Sequence, residues 1–231
     1  MEQKVKNSRG RPRQYDPDAA LDSAMQLFWA TGFAETSLDD LGAAMGMNRP
    51  SIYAAFGDKA DLFAKALQRY EDAGHAGLQQ ALDVDRPIAD TLRLTFIAMA
   101  EQFGLGASSP RGCLLFTVGA SEAAKLPGLE SFIADAMLTL EQTFKARFER
   151  AFADGDLRSA KEPADLARLA SSLVHSLATR VRAGESRQSI EQVIDVFVAV
   201  ICGGLREPAR VSSDGKSAPR PSRAARPPRK A

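Results

Sequence analysis

Apolar residues recur every three to four positions along most of the chain and hardly ever in strict alternation, a periodicity that predicts helices and no strands. The first run is Leu21, Ala24, Met25 and Phe28. Asp16 stands where it can cap that helix, Pro17 fits its first position, Asp18 suits the positive end of its dipole, and Gly32 supplies a stop. Thr36 and Ser37 each precede a carboxylate by three residues, Asp39 and Asp40, so a capping-box pattern starts the second helix at one or the other. Leu38, Leu41 and Met45 give its buried stripe, and Gly42 keeps the crossing point small. Gly46 then makes the turn, Met47 plugs it, Asn48 caps a third helix, and Ile52 with Phe56 faces inward. Beyond Lys59, Leu62, Phe63, Ala66, Leu67 and Tyr70 predict a connecting helix. Further helices are expected from Pro87 to about Phe103, Cys113 to Ala124, Leu129 to Ala153, Ala164 to Ala183, and Ser186 to Gly203. Gly104 to Pro110 reads as a loop and Asp154-Gly155-Asp156 as a turn. The fold class is all-α, with three short helices leading into a larger helical part.

Charge divides the chain. The net +1 of the 231 residues conceals a leader, 1–15, at +4 and a tail, 207–231, at +5, which leaves residues 16–206 at −8. Basic ends around an acidic middle suit a polyanion partner met by the termini. Five prolines with Ser, Ala and Arg predict a disordered basic tail from Glu207. The polar start has no apolar leader segment, and the longest apolar run, Val196 to Cys202, is too short to span a bilayer, so a cytoplasmic protein without membrane contact is expected. Cys113 and Cys202 are too few for a disulfide scaffold or a zinc site, and His75 and His175 lack ligand partners at helical spacing. Neither a metal nor another cofactor is expected.

Residues Leu38 to Phe56 have the parts of a helix-turn-helix. With Ile52 and Phe56 turned inward, the second helix of the pair presents Arg49, Pro50, Ser51, Tyr53, Ala54 and Ala55 outward. Arg49, in its first turn, suits a guanine edge or a phosphate; Ser51 and Tyr53 can donate to phosphate oxygens. Pro50 costs nothing where its missing N–H would have had no partner. Ser37 and Thr36 at one helix start, and Lys59 with nearby backbone N–H groups at another, offer further phosphate contacts. From Gly32-Phe33 through Thr36-Ser37 to the run Gly46 to Lys59, the sequence resembles the N-terminal domain of the tetracycline-repressor (TetR) family, over roughly residues 16–65. The resemblance implies a three-helix DNA-binding head, residues 16–57, joined by a fourth helix to a helical ligand-binding and dimerisation domain, residues 58–206. It also implies DNA contacts at Thr36, Arg49, Ser51, Tyr53 and Lys59. Many members carry a larger residue where Ala55 stands, which shifts the expected specificity toward Arg49, the leader and DNA shape. Arg9-Gly10-Arg11-Pro12-Arg13 in the leader is similar to the core of an AT-hook, whose arginines enter a narrow minor groove; a solvated basic leader is the other reading.

The last helix carries Val193, Ile194, Val196, Phe197, Val198, Val200 and Ile201 on nearly every side, so it needs cover on two faces. The helix before it adds Leu166, Leu169, Leu173, Leu177 and Val181 at near-heptad spacing. Two such helices from each of two subunits would close a four-helix homodimer interface; a helix buried within one subunit is the alternative. Phe96, Met99, Phe103, Phe116, Phe132, Met137, Phe144 and His175 are candidates to line a pocket for a small-molecule effector, most of them equally suited to plain core. Cys113 follows Arg111-Gly112 at a helix start, where positive charge and the helix dipole favour a thiolate. The Arg-Gly-Cys is similar to a subgroup of the family that senses electrophiles or oxidants, and a buried cysteine serving as a small hydrophobe is the competing reading.

The expected function is a sequence-specific regulator, a ligand-released repressor acting as a homodimer on a palindromic double-stranded operator. The alternatives are a helical protein-interaction module without DNA binding and, for the signal, a cysteine sensor at Cys113. No phosphate-cradling loop, nucleophile elbow or histidine–carboxylate cluster points to an enzyme.

Overall fold

The computed structural model describes residues 16–203. The leader with Arg9, Arg11 and Arg13 and the basic tail lie outside the described residues. Among the described residues the chain is helical without strands: α1 (Pro17–Thr31), α2 (Leu38–Met45), α3 (Arg49–Phe56), α4 (Lys59–Leu82), α5 (Ile88–Gln102), a π-helical segment (Leu114–Gly119) running into the short α6 (Ala120–Glu122), α7 (Leu129–Ala153), α8 (Pro163–Arg182) and α9 (Arg187–Ile201). No helix among them is long and apolar enough to cross a membrane.

Side-chain caps fix the N-terminal ends. Asp16 accepts from the Asp18 N–H at 2.9 Å with Pro17 in the first turn. Ser37, not Thr36, caps α2 in a reciprocal box with Asp40. Asn48 caps α3 through the Ser51 N–H at 2.9 Å, and Asp58 caps α4 by a second box with Asp61. Such caps contribute about 1 kcal/mol each and leave little freedom in where the helices start.

The α2–α3 turn is held by a close approach. The Met47 N–H donates to the Gly42 carbonyl at 2.9 Å, and a Cβ on Gly42 would lie 2.8 Å from the Met47 carbonyl oxygen. Only glycine admits that crossing. Leu41, Met45, Met47, Ile52 and Phe56 are all buried around it. Phe63 of α4 meets Phe28 edge-on and Phe33 at a tilt, each at 5.0 Å, so α4 closes the core of the three-helix head. Arg69 of α4 is paired with Asp22 and with Asp18 of α1, the latter at 3.0 Å. Farther along α4, Trp29 meets Tyr70 edge-on at 5.1 Å. One helix thus belongs to two cores.

In the larger part Phe96, Phe144 and Phe148 stack in sequence between α5 and α7. Leu166, Leu173 and Leu177 of α8 and Ile201 of α9 are buried within the single chain. This corrects their expected place at a subunit interface: their near-heptad spacing reflects packing on neighbouring helices of the same subunit. What α9 leaves uncovered is another stripe, with Val196 57% and Val200 41% exposed and Val193 and Phe197 half-buried beside them.

The expected helix from Cys113 to Ala124 is present but wound differently. Its first six residues, Leu114–Gly119, form π turns, and the Ala120 N–H reaches the Leu115 carbonyl five residues back. The widened backbone lies where Cys113 and Phe116 border a cavity.

Candidate DNA-binding surface and effector cavity

α3 is amphipathic across its short length. Ile52 and Phe56 anchor it, while Arg49, Pro50, Tyr53, Ala54 and Ala55 are exposed and Ser51 is partly so. Tyr53, 50% exposed, is the large residue on that face. Arg49 does not hang free. Its guanidinium donates twice to Asp39 of α2, Nε to Oδ1 at 2.7 Å and Nη2 to Oδ2 at 2.6 Å. That fork holds the Asp39 carboxyl below its ordinary pKa. Both groups face solvent, so the pair orients the guanidinium more than it stabilises the fold. In sequence Asp39 has only the spacing of a capping residue, three positions after Thr36. Its spacing of ten residues across a turn gives no helical signal for the contact.

Thr36 occupies a different place from the one the family resemblance implies. Its side chain is 2% exposed, its hydroxyl donates to the Gly32 carbonyl at 2.5 Å, and it shares a hydrogen bond with Thr31 at 2.7 Å. It shapes the α1–α2 turn and offers the outside no hydroxyl. Ser37 is exposed, with its hydroxyl on Asp40. At the start of α4 the N–H groups of Ala60 and Asp61 are taken by Asp58, so the expected phosphate cradle of free backbone N–H groups there is already filled. Lys59 remains partly exposed, its ammonium 4.4 Å from the centre of the Phe33 ring. Lys65 donates to the Phe56 carbonyl at 2.9 Å and closes the end of α3.

A cavity of about 240 Å³ lies among α4, α5, the π segment, α7 and α8. Of the expected lining residues, Met99, Phe103, Cys113 and Phe116 border it. Phe96 and Phe144 are packed in the core, Met137 is exposed, and Phe132 lines a separate surface depression beside the start of α4. His175 packs edge-on against Phe116 at 4.2 Å, and burial pushes its pKa down. Residues not anticipated from sequence also border the space: Tyr70, Glu71, His75, Thr95 and Gln102. A legible signal for it was Gly74 and Gly77. Glycine inside a helix costs roughly 0.5–1 kcal/mol against alanine, and a Cβ on either would meet nothing within 4 Å, so the missing side chains open the room.

Of the two readings of Cys113, the structure favours the buried small hydrophobe over the activated thiol. Cys113 is 4% exposed, and burial raises its pKa above the ordinary value. Arg111, the cation expected to favour a thiolate, turns away to lie 4.3 Å over the Trp29 ring and to donate to Gln26 at 2.7 Å. Tyr70 borders the cavity beside Cys113. The expected outcome with iodoacetamide at neutral pH is that Cys113 in the folded protein alkylates at least about tenfold more slowly than in denaturant, measured by peptide mass spectrometry. Equal rates would restore the sensor reading.

A small helix-turn-helix head whose α3 presents Arg49 and Tyr53 outward, tied through a shared fourth helix to a helical body with a cavity, defines a helix-turn-helix transcription regulator. Comparison with known proteins agrees. Residues 20–66 match the model of bacterial regulatory proteins of the tetR family. The HTH-type transcriptional repressor ComR of Escherichia coli (strain K12) is 30% identical over 190 residues, which span 82% of this chain and 90% of that protein. The repressor BdcR of the same organism is 40% identical over 83 residues, 36% of this chain and 42% of its own length. Among solved structures, a cysteine-substituted form of the TetR family regulator CifR, in complex with a 26 bp double-stranded operator, superposes with a TM-score of 0.73 at 26% identity, over 83% of this chain and 100% of that one. The chain belongs to the TetR family of bacterial regulatory proteins.

Proposed function

We propose that the protein is a cytoplasmic, ligand-released repressor that binds a palindromic operator as a homodimer, residues 16–57 reading DNA and 58–206 holding the effector and the partner subunit. The observation that carries this is the outward face of α3, where Arg49 and Tyr53 stand exposed and Ser51 partly so on a helix whose other face is locked by Ile52 and Phe56. Arg49, held by Asp39, enters the groove or meets a phosphate; Ser37, Ser51, Tyr53 and Lys59 contact the backbone on either side, with Pro50 shaping the first turn. Ala54 and Ala55 let the helix approach closely and leave few side chains for base edges. Repression agrees with the name of ComR, and operator binding with the complex in which CifR was solved. Two heads related by a two-fold axis read half-sites about one helical turn, roughly 34–36 Å, apart.

Release follows from the way the head is fastened. The Trp29 indole N–H donates to the Gly112 carbonyl at 3.0 Å, and Arg111 caps the same ring. Gly112 immediately precedes Cys113 and the π segment at the cavity wall. A ligand that shifts this segment draws α1 with it and changes the spacing of the two heads.

The test is a gel-shift titration on the protein's own promoter region. Arg49→Ala and Tyr53→Phe should each weaken the specific complex, the first by about tenfold, with the dimer intact on size exclusion. Raising salt should weaken the complex steeply, because phosphate contacts release counterions. Unchanged affinity in both variants would overturn the assignment of α3 as the recognition helix.

A further inference from the structure

The cavity beside α4 has an uneven chemistry. Met99, Phe103, Phe116, Leu140 and Val174 make most of its wall apolar, and among the described residues no lysine or arginine lines it. One carboxylate does. Glu71 is half-buried, and that burial raises its pKa above the ordinary value. Among the described residues no ion pair reaches Glu71; His75, one turn on, turns its Nδ1 toward Thr143 Oγ1 at 3.5 Å. The site therefore offers a partly desolvated carboxylate on which the His75 imidazole acts through space, with no lysine or arginine paired to it among the described residues.

Thr95 supplies an independent observation. Four helical threonines return their hydroxyls to the carbonyl one turn back: Thr31 to Leu27, Thr91 to Pro87, Thr143 to Thr139 and Thr179 to His175. Thr95, only 2% exposed and lining the same cavity, does not, and among the described residues its Oγ1 has no hydrogen-bond partner. A buried hydroxyl without a partner is costly, and here it belongs to a residue of the cavity wall, so a small rotation of its side chain could bring it to a ligand.

We infer that the cavity takes a small organic cation, an amine on a compact apolar body, whose ammonium donates to Glu71 and Thr95. The inference rests on the reading of this cavity as the effector site. An ammonium brings three donors and no acceptor, which matches a carboxylate and an unpaired hydroxyl. An anionic ligand would meet Glu71 as a like charge, and a neutral one would leave that charge uncompensated. The volume, about 240 Å³, lies below the ~300–1,000 Å³ of sites for drug-sized ligands and suits one ring with a short chain.

Calorimetry on the full-length protein with phenethylamine, 2-phenylethanol and phenylacetate, alike in body and different in head group, tests this. The amine should bind about tenfold or more tightly than the alcohol, and the acid should not bind measurably. Glu71→Gln should reduce the amine to the alcohol's affinity without changing the alcohol's own, and Thr95→Val should weaken the amine by about fivefold. Circular dichroism and melting confirm that both variants fold. The inference is overturned if the alcohol or the acid binds as well as the amine, if Glu71→Gln leaves the amine's affinity unchanged, or if none of the three binds. Repeating the titration on operator-bound protein separates the two readings. Binding of the amine that depends on Glu71 but leaves DNA bound supports the cation site and overturns ligand release.

Discussion

Val196→Asp combined with Val200→Asp converts the protein to a folded monomer at micromolar concentration. On α9, Ile190, Ile194, Val198 and Ile201 turn inward and are buried, so the helix keeps its place without a partner. The opposite stripe, Val193, Val196, Phe197 and Val200, has the i, i+3, i+4, i+7 spacing of a helix face that needs cover. In a two-fold interface each residue is used twice, so the double variant introduces four carboxylates where apolar contact is required. A carboxylate buried without a partner costs several kcal/mol, and the dimer dissociation constant should rise at least about 100-fold. Sedimentation velocity measures the loss, and circular dichroism should show full helix content. Leu173→Asp is the informative contrast. Leu173 is fully buried in the chain itself, so that change should unfold the subunit. A persistent dimer in the α9 variant would place the interface elsewhere.

Much of the fold was legible because its ends are chemically marked. Asp16 and Asn48 mark helix starts through side-chain caps, Gly46 marks a helix end through its left-handed backbone, and α7 runs from Leu129 to Ala153 as its apolar spacing predicts. Less was legible where a side chain's role depends on what lies across space. Heptad-like leucines on α8 satisfy a neighbouring helix and a partner subunit equally well in one dimension; only burial distinguishes them. A buried cysteine and an activated one have the same neighbours in sequence, and Arg111 decides between them by turning toward Trp29. The π turns have no sequence signature at all, since a single-residue widening leaves the apolar period nearly intact. On the DNA side Arg49, Ser51 and Tyr53 were legible from the cap at Asn48 and the inward stripe. The burial of Thr36 was not, because a hydroxyl beside a turn serves a turn or a ligand equally well.

Gly112→Ala should be strongly destabilising for a change of a single methyl group. Gly112 sits at φ 71°, and its added Cβ would lie 2.7 Å from the Ala178 carbonyl oxygen, 3.1 Å from Thr117 Cγ2 and 3.2 Å from Arg182 Cβ. Left-handed backbone costs a non-glycine residue about 1–2 kcal/mol, and the overlap with fixed backbone on α8 adds about 1–3 kcal/mol. Relief requires the loop to back away from α8, which draws the Gly112 carbonyl from the Trp29 indole N–H and leaves a buried donor without its acceptor. For a chain of this size the melting temperature should fall by roughly 5–15 °C. Trp29 is the single tryptophan of the sequence, so its fluorescence reports the loosened contact directly, as a red shift in the native state. Gly106→Ala supplies the control: at φ 83° it carries the same backbone strain, but its Cβ would meet nothing within 4 Å. Because Gly112 joins α1 to the cavity wall, its alanine variant should also lose the dependence of operator affinity on effector, while Gly106→Ala keeps it. Equal melting temperatures and unshifted fluorescence in the two variants would mean that the head is not fastened through this carbonyl.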